Sequence, residues 1–351
     1  MVHWNRDKAK KILLFQIIGL MFTIMSFVLV SQNEGVASHP DSPLVIESSY
    51  QLPLKELSGV HWTYENGKLA ILAVGDKKSK LVKIYPSEDV IEEIDFSKAI
   101  LDRFSLCQSA LHSVCAKQLK RMLGDWEALR IDSDGRVFLL QEHSEAVVVF
   151  NPNSGAIDAV LNFNLLEGLG EWTQRSTRKF PVNALGEGLL LMKNGHFAVA
   201  KEMYPLSIVE FGPQGDQALG LTSATVLSND EEFLIEQNGK FKYDSLARWE
   251  LAASGKCDFS DLEFARGQLF ILSQKCKKIM VIDPLHPETG SKLVTKAIYS
   301  LPKEIKNPEA LTILEDGRFV IGSDLRKKKK NLFIIESPFS HHASLNTEEV
   351  L

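Results

Sequence analysis

Asp125-Trp126-Glu127-Ala128-Leu129-Arg130-Ile131-Asp132-Ser133-Asp134-Gly135-Arg136-Val137-Phe138-Leu139-Leu140-Gln141-Glu142 is the stretch that decides the fold. One apolar run precedes an Asp-Gly turn and another follows it, the signature of a β-hairpin. Glu127 and Glu142 are fifteen residues apart with the turn midway between them. They are therefore expected to face each other across the two strands, at the end away from the turn. The same arrangement returns in Leu185-Gly186-Glu187-Gly188-Leu189, Asn194-Gly195, Lys201-Glu202, and in Asn307-Pro308-Glu309-Ala310-Leu311, Asp316-Gly317, Ser323-Asp324.

Looser copies bring the count to six. The first is Leu57 to Trp62, turn Asn66-Gly67, Leu69 to Val74 and Asp76. The fourth is Ser223 to Leu227, turn Asn229-Asp230, then Glu232 to Glu236. The fifth is Phe259 to Phe264, turn Arg266-Gly267, then Gln268 to Gln274. A third strand follows several hairpins, as in Ala146 to Phe150 and Lys278 to Ile282, and a weaker fourth can follow that. One antiparallel meander per repeat predicts an all-β fold, a six-bladed β-propeller. A β-sandwich is the rival, but it has no need of one motif at the head of so many hairpins. Leu44-Val45-Ile46 reads as the strand that completes the last blade. A helical insert is expected at about 97–124 and a long loop at 164–181.

The propeller is expected to span 44–338, followed by a tail at 339–351. Before it, Ile12 to Val30 is an apolar run behind Arg6, Lys8, Lys10 and Lys11. Its length suits one transmembrane helix, and the basic flank keeps residues 1–11 in the cytoplasm. A signal peptide cut near Gly35-Val36-Ala37 is the alternative. Residues 31–43 read as a linker. Either way the propeller is expected outside the cytoplasm, held at the inner membrane or released to the periplasm. Four cysteines agree with export. Cys257 and Cys276 flank the fifth hairpin and are expected to pair, and Cys107 with Cys115 closes a local loop. The formal charge is −5, and the first 37 residues hold a surplus of two positive charges, so the body is acidic. No basic face for nucleic acid is expected.

In a propeller the first strand of each blade lines the central channel. Glu127, Glu187, Glu309 and Asp261 would then ring one mouth, with Ser58 in the first unit. Asp76, Glu142, Glu202, Gln274 and Asp324 would join them from the second strands. Carboxylates crowded on one axis need a cation, protonation or basic partners. Ca²⁺, a hard ion with six to eight oxygen ligands, fits them best. The competing reading makes these acids caps for exposed backbone N–H groups. Arg175, Arg178 and Lys179, and the run Arg326 to Lys330, are read as solvated loops before phosphate or headgroup contacts. His61, His143 and His196 stand alone, with no Ser/His/Asp arrangement.

Trp126-Glu127-Ala128-Leu129 with Glu142, Gly186-Glu187-Gly188-Leu189 with Glu202, and Ser223-Ala224 with Leu234-Ile235-Glu236 resemble the "esterase-like activity of phytase" domain family over about 58–335. That resemblance implies an exported propeller and the hydrolysis of phosphoesters or other esters. The first and fifth units depart from it with Ser58 and Asp261 where glutamate is expected, and the fourth lacks the acid. The expected activity is a Ca²⁺-dependent hydrolase, with Glu127, Glu187, Glu309, Asp261 and Asp324 on the metal and Glu142 or Glu202 as general base. The alternative is a non-catalytic propeller that binds an envelope protein.

Overall fold

The computed structural model describes residues 44–105, 123–165, 186–203, 206–235, 242–251, 257–287, 291–325 and 329–339. The expected anchor, its linker, the Cys107–Cys115 pair, Arg175, Arg178 and Lys179 all lie outside the described residues. Among those described, no helix is long and apolar enough to cross a membrane. The chain divides into Met1–His39 and Pro40–Leu351, and the second unit holds all the structure described here.

Its described strands form five sheets. β1 (Ile46–Tyr50) belongs to the last of them. β2 (Leu57–Glu65), β3 (Lys68–Gly75), β4 (Lys78–Tyr85) and β5 (Val90–Asp95) make the first blade. β6 (Trp126–Ile131), β7 (Val137–Gln141), β8 (Ala146–Asn151) and β9 (Ala156–Asn162) make the second. The third contains β10 (Gly186–Leu191), β11 (Phe197–Lys201), β12 (Ser207–Pro213) and β13 (Tyr243–Leu251). It is extended in parallel by β17 (Ser291–Leu293). β14 (Asp261–Ala265), β15 (Gln268–Ser273), β16 (Lys278–Ile282) and β18 (Thr295–Ser300) make the fourth. β19 (Pro308–Ile313), β20 (Phe319–Ser323) and β21 (Leu332–Ile335) make the fifth, and β1 pairs antiparallel with β21 at its outer edge. The first strand in sequence thus completes the last blade and ties the ring shut. A helix, α1 (Ser97–Ser105), follows β5 where the insert was expected, and the Asp95 carboxylate accepts the Ser97 N–H at 2.9 Å.

The innermost strands touch in a closed cycle, β2 to β6, β10, β14, β19 and back to β2. Five apolar clusters fill the gaps between adjacent blades. Leu139 of β7 packs toward the first blade with Leu72 and Val74. Its neighbours Phe138 and Leu140 point the other way, to Leu189 and Phe197 of the third blade. Both faces of a middle strand are therefore buried, which is why β7 and β8 read as unbroken apolar runs rather than alternating ones. The last gap, between fifth and first blades, is filled by Val60, Ile71, Val320 and Ile334.

Among the described residues five blades are found, where six were expected. The fourth unit folds no hairpin over its described residues, Ser223 to Ile235. It makes a single bridge instead, Val226 to Met192, and Leu221 just before it bridges to Leu285. Its Asn229-Asp230 turn lacks the glycine of the true hairpins, and Asp230, Glu231 and Glu232 break the apolar alternation a second strand needs. In contrast, Asn66-Gly67 and Arg266-Gly267 adopt positive φ at both residues (51° and 76°; 52° and 73°), the geometry of a two-residue hairpin turn. The Cys257–Cys276 disulfide forms across the β14–β15 hairpin, with Cα atoms 5.2 Å apart.

Candidate functional site

The acids are placed by a recurring irregularity. At the start of β2, β6, β10 and β19 the pairing register slips by one, between Leu57 and Gly59, Trp126 and Ala128, Gly186 and Gly188, Pro308 and Ala310. The residues left unpaired by the slip are Ser58, Glu127, Glu187 and Glu309. A bulged residue is released from the ladder and its side chain is re-aimed. Two positions earlier, just ahead of three of these strands, stands a residue in the left-handed region: Glu56 (φ 53°), Asp125 (φ 60°) and Asn307 (φ 48°).

The acids after the second strands are fixed from the same point. Asp76 N–H donates to Glu56 C=O at 2.9 Å, Glu142 N–H to Asp125 C=O at 3.1 Å, and Asp324 N–H to Asn307 C=O at 2.9 Å. The blades are also laced to each other there, by Asp125 N–H on Asp76 C=O (2.6 Å) and Phe259 N–H on Glu202 C=O (2.9 Å). Glu127, Glu187 and Glu309 thereby converge with Asp76, Glu142, Glu202, Gln274 and Asp324 on one cavity of about 270 Å³ at the channel mouth.

Asp261 is elsewhere. It pairs with Leu272, the register at which Gly59, Ala128, Gly188 and Ala310 pair in the other blades. Ser260 holds the place of the glutamates and lines the cavity. A slip of one residue moves a strand side chain to the opposite face, and the sequence pattern alone does not fix that register. Fully buried, Asp261 accepts the N–H groups of Leu262 (2.8 Å) and Leu311 (2.7 Å), with the Arg130 guanidinium at 3.3 Å. It joins the inner strands instead of facing the mouth. Small residues suit the other blades because the strands approach closely: a Cβ on Gly188 would lie 2.9 Å from the Leu262 nitrogen.

The mouth is short of positive charge. Burial, then the carboxylates of Asp76, Glu142 and Glu309, push Glu127 well above the usual carboxylate range. Burial, then Glu127 and Glu202, do the same to Glu187. Glu309 is raised to about 9 by burial and by Asp324, against a hydrogen bond from Gln274. Glu202 is raised to about 7 by burial, Asp258 and Glu142. Lys77 reaches the rim, paired with Asp76 and 3.0 Å from Glu56. Lys201 turns away to donate to Met203 C=O at 2.9 Å, and burial lowers it to about 8.

The donor set suits a hard cation. Oxygens of Asp76, Asp125 and Glu127 lie within 4.8 Å of one another, as do donor atoms of Asp125, Glu142 and His143. Asp76 Oδ1 is buried without a hydrogen-bond partner. All-oxygen coordination by several carboxylates is the chemistry of Ca²⁺ sites. Asp125, Glu56, Asp258 and His143 line this mouth and were not among the residues expected there. The signal for Asp125 and Glu56 is a polar residue two before the bulge, which also appears as Asn307. His143, isolated in sequence, contacts the Asp125 carboxylate. His196 is buried between Glu210 (2.8 Å) and Asp216 (3.2 Å) in the third blade, away from the mouth.

No family model matches the chain, and no curated protein matches it. The resemblance to the phytase-like domain family thus rests on short motifs alone. Among solved structures the chain is similar to the glutaminyl cyclase of Myxococcus xanthus, at 12% identity and TM-score 0.43 over 84% of this chain and 98% of that one. It is similar to a gluconolactonase from Xanthomonas campestris, at 9% identity and TM-score 0.43 over 84% and 94%. Regucalcin of Agrobacterium tumefaciens, a calcium-binding protein, gives 10% identity and TM-score 0.41 over 84% and 92%. Identities and scores this low carry nothing about activity, and the propeller architecture rests on the closed ring of inner strands.

Proposed function

We propose that the acidic mouth binds Ca²⁺ and that the protein is a metal-dependent hydrolase of a phosphoester or other ester, of the phytase-like kind. The supporting observation is the convergence of Glu127, Glu187 and Glu309 with the second-strand acids on one cavity poor in cationic partners. A divalent cation relieves both the burial of these carboxylates and their mutual repulsion. Glu127, Glu187 and Glu309, with Asp76, Asp125 and Asp324, are the residues that would hold it. When bound, Ca²⁺ supplies Lewis-acid polarisation of a substrate oxygen and a more acidic water. Glu202, with its carboxyl raised to about 7, is suited to hold and release a proton near neutral pH. Glu142, beside His143, is the second candidate base.

Export fits this reading, with the propeller in the periplasm or another extracytoplasmic space behind the anchor of Ile12 to Val30. Calorimetric Ca²⁺ titration and thermal melting of the propeller test the cation, and phosphatase and esterase assays with and without chelator test the reaction. Activity indifferent to chelator refutes the proposed mechanism. A second reading is favoured by the size of the cavity. At about 270 Å³ it falls just below the usual range of small-molecule sites. A propeller that binds the ion for rigidity and presents its rim to an envelope protein would show Ca²⁺-dependent melting without turnover.

A further inference from the structure

The channel has a second mouth with different chemistry. At the C-terminal ends of the inner strands lies a cavity of about 1180 Å³, larger than most small-molecule sites. Trp62, Tyr64 and Phe264 form apolar wall, and Arg130, His61 and Glu263 supply polar groups. These three polar side chains are at least nine-tenths buried, with exposures of 3%, 4% and 8%. Each keeps a buried polar atom without a hydrogen-bond partner: Arg130 Nε, His61 Nδ1 and Glu263 Oε2. Arg130 Nη2 lies 3.7 Å from that Glu263 oxygen, beyond hydrogen-bond distance. Leaving buried polar atoms unmatched is unfavourable, because each has given up its hydrogen bonds to water. Three residues that line one cavity each hold such an atom, and together they make a polar floor that a ligand can engage.

Their chemistry defines it. Arg130 Nε–H is a donor and Glu263 Oε2 an acceptor. Burial and the adjacent guanidinium keep His61 neutral, lowering it to about 3. In this neutral imidazole one nitrogen donates to Asn229, which leaves Nδ1 as an acceptor. A hydroxyl group, which donates and accepts at once, matches all three. Net charge on the ligand is disfavoured in both signs. Arg130 on the floor repels a cation. At the rim, Lys83 is paired with Glu65 and Arg266 stacks on the Phe339 ring, and Asp134, Asp230 and Glu315 face an anion. The aromatic wall suits an apolar ring face: Tyr64 is 53% exposed and packs edge-on against Trp62 at 5.5 Å.

We propose that this second mouth is a binding site for a neutral, hydroxyl-rich ring, a pyranose sugar, with its C–H face on the exposed Tyr64 ring and its hydroxyls toward Arg130, His61 and Glu263. The site is separate from the acidic mouth, and its existence does not depend on the hydrolase reading.

Saturation-transfer NMR of the full chain with methyl glycosides of glucose, galactose and N-acetylglucosamine at millimolar concentration tests it. At least one is expected to show transfer. Tyr64→Ala and Glu263→Gln are each expected to weaken that glycoside about tenfold, while Glu127→Gln at the opposite mouth leaves it unchanged. Should Glu263→Gln melt out, the exposed Tyr64→Ala and the conservative Tyr64→Phe decide between them, with Phe retaining binding. No transfer from any of the three glycosides, or transfer indifferent to Tyr64→Ala, overturns the proposal.

Discussion

Glu309→Gln is expected to stabilise the protein when metal is removed. The Glu309 carboxyl titrates near 4.5 in an unfolded chain and at about 9 in the fold. Between those values the folded state holds a proton that the unfolded state has released, so stability falls as pH rises through the window. Each pH unit costs about 1.4 kcal/mol, so by pH 7 the loss from this one group is on the order of 3 kcal/mol. Glutamine is nearly isosteric, does not titrate, and its carbonyl still accepts from Gln274, the present partner of Glu309. In chelator at pH 7 the variant should therefore melt above the parent by roughly 6–12 °C, using about 2–4 °C per kcal/mol for a chain of this class. Below pH 4.5 the two should coincide, because both then carry a neutral group. Added Ca²⁺ should reverse the order, since the parent keeps the ligand that the variant has lost. Melting curves in chelator from pH 4 upward check this. Superimposable curves at every pH would refute the claim that the mouth is electrostatically strained.

Glu202→Gln should lower ester or phosphoester turnover by about 10²–10⁴-fold, the usual contribution of a general base. In the parent, the rate should rise with pH through about 7 as this carboxyl ionises, and a pH–rate profile reads that limb. Reducing Cys257–Cys276, which closes a loop over 19 residues of separation, should cost about 3 kcal/mol, seen as a lower denaturation midpoint with reductant. Asp261→Ala should cost about 3–5 kcal/mol by stranding Arg130 and two backbone N–H groups, measured by denaturant titration, with Ca²⁺ affinity of the folded fraction unchanged.

Hairpin positions were legible because their causes are local. Asn66-Gly67 and Arg266-Gly267 supply positive φ, and the apolar runs beside them have strand length. The pairing of Cys257 with Cys276 followed from the same turn. So did the sharing of one mouth by Glu127, Glu187 and Glu309, each at one distance from its turn. The fourth unit misled because a degenerate copy keeps residue types without keeping the geometry. Ser223 to Glu232 spends its hydrogen bonds on two blades, Leu227 N–H to Leu191 C=O and Ser133 N–H to Glu231 C=O. His143 gave no sign in sequence because its partner, Asp125, lies across a hairpin.

The chain's own order of residues settled that strands alternate with tight turns and that acids recur at their far ends, since period and turn chemistry act over a few bonds. Ring closure settled the rest. Five gaps filled by side chains from two blades each fix the number of blades, and no single repeat holds that information. The one-residue shift that seats Ser260 at the mouth and Asp261 against Arg130 is decided by how closely neighbouring inner strands approach, a distance that exists only once the ring is assembled.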